Sequence, residues 1–454
     1  MKKLLWIVVL FALALAFPVS NFFITRKPDP TLRTHVKDAR HEKVVSIFEQ
    51  KCIDCHSDKA TLPLYAKLPI ASSIIADDIK RGTEDLNVPQ DCFGPTPVSE
   101  AVLAKIQRVM EDGSMPPADY RLMHWGSGLN GDDKTALMGW IRNARAAANG
   151  ATDGNHPLFA SPILPLVAPK GLNPDKVTLG RKLYHDTRLS GDNTLSCASC
   201  HDLKKGGTDQ AQFSTGIKGQ KGGINAPTVF NATHAFVQFW DGRAANLQEQ
   251  AAGPVANPVE MGAKWEDVPA KLKGDKEYVD AFAKLYPEGI TKASITDAIA
   301  TFEMSLVTVN SRFDQFLLGK ADALTADEQD GYRLFLADGC YKCHVGQAMG
   351  GESFERFGRH GDYCAERGNP TPADDGRFSV TKKESDRNKF KVPTLRNIAL
   401  TFPYLHDGST SDLNKVVKLM DKYQLHADIP DREVELVVKF LKTLTGELDG
   451  KPLQ

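Results

Sequence analysis

The sequence predicts a mainly α-helical chain of three similar units in tandem behind an N-terminal membrane segment. Sustained alternation of apolar and polar residues, the mark of a half-buried strand, is missing. Apolar residues recur instead at helical spacing through successive stretches. Cys-x-x-Cys-His then occurs three times: Cys52-Ile-Asp-Cys55-His56, Cys197-Ala-Ser-Cys200-His201 and Cys340-Tyr-Lys-Cys343-His344. The motifs begin 145 and then 143 residues apart, so each falls in its own domain-sized stretch.

This motif attaches c-type haem. The two cysteines form thioethers with the porphyrin vinyls and the histidine ligates iron. On a helical turn, positions i, i+3 and i+4 share a face, so all three side chains reach one macrocycle. The fold class is therefore mainly α, with three cytochrome c-type haem domains in tandem and three covalently bound c-type haems. A net charge of −1 implies no strongly basic face, and hence no nucleic-acid partner. Six of the eight cysteines belong to the motifs, leaving Cys92 and Cys364. Haem attachment takes place outside the bacterial cytoplasm, where disulfides persist. The sequence leaves open whether these two are bridged.

From the N-terminus, Lys2 and Lys3 precede an apolar run from Leu4 to Phe17 that continues weakly to Ile24. Residues 1–25 read as a membrane anchor or a signal segment. Ala14-Leu15-Ala16 is similar to a small-residue cleavage site. The whole run is just long enough to cross a bilayer, although Pro18, Ser20 and Asn21 weaken it. The anchor is favoured, which predicts the periplasmic side of a bacterial inner membrane; soluble periplasmic protein after cleavage is the alternative.

Residues 26–150 read as a mono-haem domain, with helices at Lys43–Glu49, 73–82, 99–112 and 131–148. Residues 151–310 form the second unit, with helices near 177–185, 243–252, 266–272, 276–285 and 293–306. A glycine-rich loop follows its haem motif. Residues 311–454 form the third, with helices at 325–337, 411–422 and 430–444 around a loop-rich stretch from 345 to 410.

Each iron has one assigned ligand: His56, His201 or His344. A methionine in the sixth position gives a filled electron-transfer site, whereas a position without a side chain lets a small molecule react. Met115, in Gly-Ser-Met-Pro-Pro, is the candidate sixth ligand for the first haem, because the prolines hold an extended segment. Met110, Met123 and His124 are the other candidates.

The run Leu189-Ser-Gly-Asp-Asn-Thr-Leu-Ser-Cys197, with Asn225-Ala-Pro-Thr-Val-Phe-Asn231, Gln238-Phe-Trp-Asp-Gly-Arg-Ala244 and Asn257-Pro-Val-Glu-Met-Gly262, resembles the bacterial di-haem cytochrome c peroxidases. So do Lys391-Val-Pro-Thr-Leu-Arg-Asn397 and Phe402-Pro-Tyr-Leu-His-Asp-Gly408. The likeness covers about 175–445. The extra N-terminal haem domain resembles the tri-haem, membrane-anchored, quinol peroxidase-like branch.

The resemblance implies a peroxidatic haem on His201 and an electron-transfer haem on His344 with Met420 as sixth ligand. It implies Trp240 as relay between them, and Glu260 and Gln250 lining the peroxide pocket. It also implies a calcium site of Asn225 with the backbone oxygens of Thr401 and Pro403. Family members are often dimers. Many hold a histidine on the peroxidatic iron until the other haem is reduced. The matching position here is Ile217, which cannot ligate iron, so the His201 haem is expected to be open at rest; His234 is the nearest alternative.

The expected reaction is reduction of hydrogen peroxide to water, with Glu260 shuttling a proton. The membrane tether favours quinol as donor over a small periplasmic redox protein such as cytochrome c. The rival readings are a non-catalytic multi-haem electron carrier and an enzyme that oxidises a protein substrate.

Overall fold

The computed structural model describes residues 30–34, 38–59, 64–150 and 160–454, together with Val19, Leu62 and Leu158. The described chain is mainly helical and divides into two compact units, Met1–Pro162 and Ile163–Gln454. The expected 310/311 boundary falls within the second of these.

The membrane placement needs correction. Among the described residues no helix is long and apolar enough to cross a bilayer. The run Leu4–Ile24, Val19 excepted, lies outside the described residues.

In the first unit the expected helices form at Ala39–Lys51, Pro69–Asp85, Glu100–Asp112 and Gly131–Ala148. Polar caps start three of them. Asp38 accepts from the backbone N–H groups of Arg40 and His41, Ser99 from that of Val102, and Asn130 and Asp133 form a reciprocal capping box. Val44, Val45 and Phe48 meet Leu103, Ile106, Met110, Leu137 and Ile141 in one core. Phe48 packs edge-on against both Phe93 and Trp140. Around that core, Arg145 clamps Glu100 at 2.6 Å and Gln107 at 2.9 Å.

The second unit is two copies of one pattern. Helix Pro174–Tyr184 crosses helix Lys292–Ser305, and helix Ala326–Ala337 crosses helix Asp431–Lys442. A glycine allows each crossing. A Cβ on Gly180 would stand 1.9 Å from the Ala298 carbonyl oxygen, and one on Gly331 would stand 2.0 Å from that of Leu436.

The loops repeat as well. Ala226-Pro-Thr-Val-Phe-Asn231 returns 166 residues later as Val392-Pro-Thr-Leu-Arg-Asn397. Asn231 and Asn397 share a φ of 62°, and Phe239 and Leu405 have φ of 67° and 70°. The bridge Gln238–Ala244 matches the bridge Tyr404–Thr410. Helices then start at Leu247 and Leu413. The copies meet at Thr308, whose Oγ1 accepts from Nδ2 of Asn231 and of Asn397, each at 2.9 Å. A hydroxyl oxygen has two acceptor sites, so one residue ties both loops.

Among the described residues, strands are few and short. Phe354–Arg356 pairs antiparallel with Lys389–Lys391, and Glu447–Leu448 with Lys451–Pro452. Arg396, fully buried, binds Asp314 at 2.8 Å and the carbonyl oxygens of Gln347 and Leu164. It anchors the loop that follows the third haem motif. Cys92 and Cys364 are both free thiols, each buried inside its own unit.

Candidate active site

The three motifs adopt short helical turns, Ile53–His56, Cys197–Ser199 and Cys340–Lys342. Their six cysteines are unbridged and half-buried. His56 places Nδ1 at 2.9 Å from the Gly82 carbonyl oxygen and 3.0 Å from that of Leu86. Gly82 is needed there, since a Cβ would stand 2.3 Å from the Cys55 carbonyl oxygen. His344 places Nδ1 at 3.2 Å from the Met349 carbonyl oxygen. The buried Nδ1 of His201 has no partner of hydrogen-bond geometry, and the backbone of Gly207 and Pro227 lies beside it. Burial pulls the pKa of His201 down and that of His344 down to about 4, which favours the neutral form that ligates iron. A ring turned with Nδ1 toward carbonyls presents Nε2 outward, and two nearby thiols complete the set. The motifs fit c-type haem.

The sixth-position candidates differ in setting. Met110 is buried in the first unit's core. Both ring nitrogens of His124 are engaged: Nε2 with the Tyr65 hydroxyl at 2.9 Å and Nδ1 with the Tyr120 carbonyl oxygen at 3.1 Å. Met115 is exposed on the loop that follows Gly113, whose φ of 67° ends helix Glu100–Asp112. In the second unit Met420 closes helix Leu413–Met420 and packs on the cluster of Phe357, Tyr363, Phe390 and Tyr423.

Trp240 packs on that same cluster. Its Nε1 donates to the Asn225 carbonyl oxygen at 2.9 Å, and its carbonyl oxygen accepts from Lys391 N at 2.8 Å. Asn225 is buried; its Nδ2 donates to the carbonyl oxygens of Ala211 and Gln212. Its N–H donates to the carbonyl oxygen of His406, three residues beyond Pro403. Pro403 is buried, and Thr401 Oγ1 bonds the Ile398 carbonyl oxygen.

Glu260 sits on the turn after helix Leu247–Ala256. Its Oε1 accepts from Asn257 Nδ2 at 2.8 Å. Burial raises its pKa above the usual carboxylate range, opposed by Arg243 and Asn257. It lies close to the second motif: burial raises the Cys200 thiol, Ser214 opposes, and Asp209 and Glu260 push it further. Ile217 N donates to the Glu260 carbonyl oxygen at 2.8 Å, and the buried Ile217 side chain rests on Gly262. Ile217 and Glu260 therefore meet. Gln250 lies on the helix leading into the Glu260 turn, half-buried. His234 is half-buried with Nε2 unpartnered, on a segment running beside Gly351.

One feature escaped the sequence reading. The 166-residue repeat superposes Met420 on Pro254, inside helix Leu247–Ala256. Proline has no atom that can ligate iron. The repeat itself, Ala-Pro-Thr-Val-Phe-Asn against Val-Pro-Thr-Leu-Arg-Asn, was the signal that could have revealed this.

Comparison with known proteins places the chain in a family. Residues 174–322 match the family "Di-haem cytochrome c peroxidase", and residues 15–143 match "Haem-binding domain". Cytochrome c peroxidase Ccp of Escherichia coli strain K12 is 42% identical over 413 residues, covering 90% of this chain and 88% of that protein. The chain belongs to the di-haem cytochrome c peroxidase family. Cytochrome c551 peroxidase of Nitrosomonas europaea is 47% identical over 313 residues, 69% of this chain and 91% of its own. A solved MauG-like protein associated with microbial copper homeostasis is 31% identical, with TM-score 0.55 over 63% of this chain and 93% of its own. This member of the peroxidase family is thus an oxidoreductase that reduces hydrogen peroxide, carries covalent c-type haem and takes electrons from a redox partner.

Proposed function

We propose that the chain carries three haems, on His56, His201 and His344, in three tandem haem domains bounded at about 150 and 310, and reduces peroxide at the one on His201. The observation that carries this reading is the pair Ile217 and Pro254. They stand where the family's histidine and the repeat's methionine would be, and neither can bind iron. Met115 and Met420 would fill the sixth positions of the other two haems. Electron paramagnetic resonance of the oxidised protein tests this. One high-spin ferric signal beside two low-spin signals is expected; three low-spin signals would refute it.

Haem iron, when bound, supplies the centre at which the peroxide O–O bond breaks and to which electrons are delivered. The residues do the rest. Glu260 takes the proton from one peroxide oxygen and returns it to the other, which leaves as water. Burial raises its pKa above that of an ordinary carboxylate, which favours the return of the proton in the second half of that task. Asn257 holds Oε1, fixing the carboxyl. Gln250 would orient peroxide by a neutral hydrogen bond. Two electrons and two protons convert each hydrogen peroxide to two waters.

Trp240 would relay those electrons from the His344 haem. Its support is that Trp240 and Met420 pack on one aromatic cluster. Asn225 Oδ1, with Nδ2 already committed to Ala211 and Gln212, is the hard oxygen that calcium would take beside the Thr401 and Pro403 carbonyls. Electrons would enter at the His56 haem, in the periplasm. The relatives named above are cytochrome c and cytochrome c551 peroxidases, so a small redox protein is the favoured donor and quinol the second reading. Side-by-side turnover with reduced cytochrome c and with a soluble quinol separates them.

A further inference from the structure

The loop that carries Trp240 has a twin in the repeat, and the residue matching Trp240 is His406. The two side chains meet. The His406 ring stacks on Phe390, with centroids 4.3 Å apart and planes 25° apart. Trp240 approaches both rings edge-on, 6.3 Å from Phe390 and 6.4 Å from His406. Two hydrogen bonds to backbone carbonyls tie the pair through one residue: Asn225 N donates to the His406 carbonyl oxygen at 2.8 Å, and Trp240 Nε1 donates to the Asn225 carbonyl oxygen at 2.9 Å. Movement of His406 therefore displaces the acceptor of the indole hydrogen bond.

His406 is itself pinned. It is 2% exposed, and Nε2 lies 2.7 Å from Asp374 Oδ1. Asp374 Oδ2 accepts from Arg367 Nη2 at 2.7 Å and from Thr371 N at 2.6 Å. Arg367 Nη1 reaches Asp407 Oδ2 at 2.5 Å, where the Tyr363 hydroxyl also donates. A buried network this fully satisfied is rigid, and leaving any member unpartnered is expensive.

The ligand-type atoms of Cys364, Asp374 and His406 lie within 4.8 Å of one another, which invites a metal reading. The 2.7 Å contact argues against it. That is a hydrogen-bond distance, and two ligands of one tetrahedral ion with bonds of about 2.0–2.2 Å stand well over 3 Å apart. Burial pushes the Cys364 thiol up to about 12, so it remains a neutral neighbour.

We propose that the His406–Asp374 pair is a positioning device for Trp240, holding the indole N–H on the Asn225 carbonyl while Trp240 relays electrons. This rests on the relay reading of Trp240. The balance is simple. Trp240 gives one electron toward the His201 haem and receives one from the His344 haem. Its acceptor is a carbonyl, which is not a base, so the indole keeps its proton through the step.

The test uses the holoenzyme with ¹⁵N-labelled indoles and two variants. His406→Phe keeps a stacked ring without Nε2, and Asp374→Asn is the smaller change should the first fail to fold. Solvent exchange of the Trp240 indole N–H, assigned through Trp240→Phe, is read by nuclear magnetic resonance. Electron delivery to the His201 haem is read by stopped flow. Both variants are expected to speed indole exchange and slow delivery by about tenfold, the effect of one ordinary hydrogen bond, with the initial reaction with peroxide unchanged. Wild-type exchange in a folded variant overturns the proposal. If Trp240→Phe delivers electrons at the wild-type rate, the relay reading falls. Faster exchange in the variants would then uphold the positioning on its own, and unchanged exchange would sink that too.

Discussion

In the proposed reaction, Glu260 is the residue on which proton movement would turn. It is half-buried, held by Asn257, and its raised pKa has burial as first cause. Glu260→Gln keeps the shape and removes the exchangeable proton. Steady-state peroxide turnover should drop by about 10²–10⁴-fold at unchanged haem content. Glu303 carries a second prediction. Burial pushes its carboxyl up to about 8, and Oε2 has no hydrogen-bond partner. In the unfolded chain it ionises near 4.5. Between those values the folded state holds a proton that the unfolded state has lost. Stability therefore falls as pH rises from about 4.5 to 8, by up to about 1.4 kcal/mol per unit. Thermal melts of Glu303→Gln across that window should show a shallower slope than the parent. Glu260 drew notice because it stands in the Asn257–Gly262 run that carries the family resemblance. Glu303 was not, because a glutamate inside an apolar helix shows its burial only once helix Lys292–Ser305 has packed.

At the scale of elements, the two helix crossings of the second unit depend on backbones that nearly touch. Gly331→Ala sets a Cβ against the Leu436 carbonyl, and Gly180→Ala does the same against Ala298. Each substitution should destabilise by about 1–3 kcal/mol, read as a lower denaturant midpoint with all haem retained. Helix periodicity foretold most of these elements, and Lys276–Leu285 falls where its apolar spacing put it. Loops were harder. The pairing of Phe354–Arg356 with Lys389–Lys391 joins residues more than thirty apart through irregular chain, and three-residue strands leave no alternation to read. The site shows the same division. Motif residues stood out by type and spacing, whereas the meeting of Ile217 with Glu260 depends on a loop closing over a turn.

Across the whole molecule, the second unit uses one pattern twice with different side chains at matching positions. Where one copy offers Met420, the other offers Pro254; where one offers His406, the other offers Trp240. On the proposed reading, a duplicated scaffold would yield a filled site and a reactive one by exchanging a few side chains at fixed backbone positions. This division of labour predicts that the His201 haem needs no prior reduction of its neighbour. Stopped-flow mixing of the fully oxidised protein with hydrogen peroxide tests that most directly. The Soret band should shift at once, at a rate proportional to peroxide concentration and unaffected by pre-reducing the His344 haem. A spectrum that stays unchanged until an electron is first supplied would contradict it.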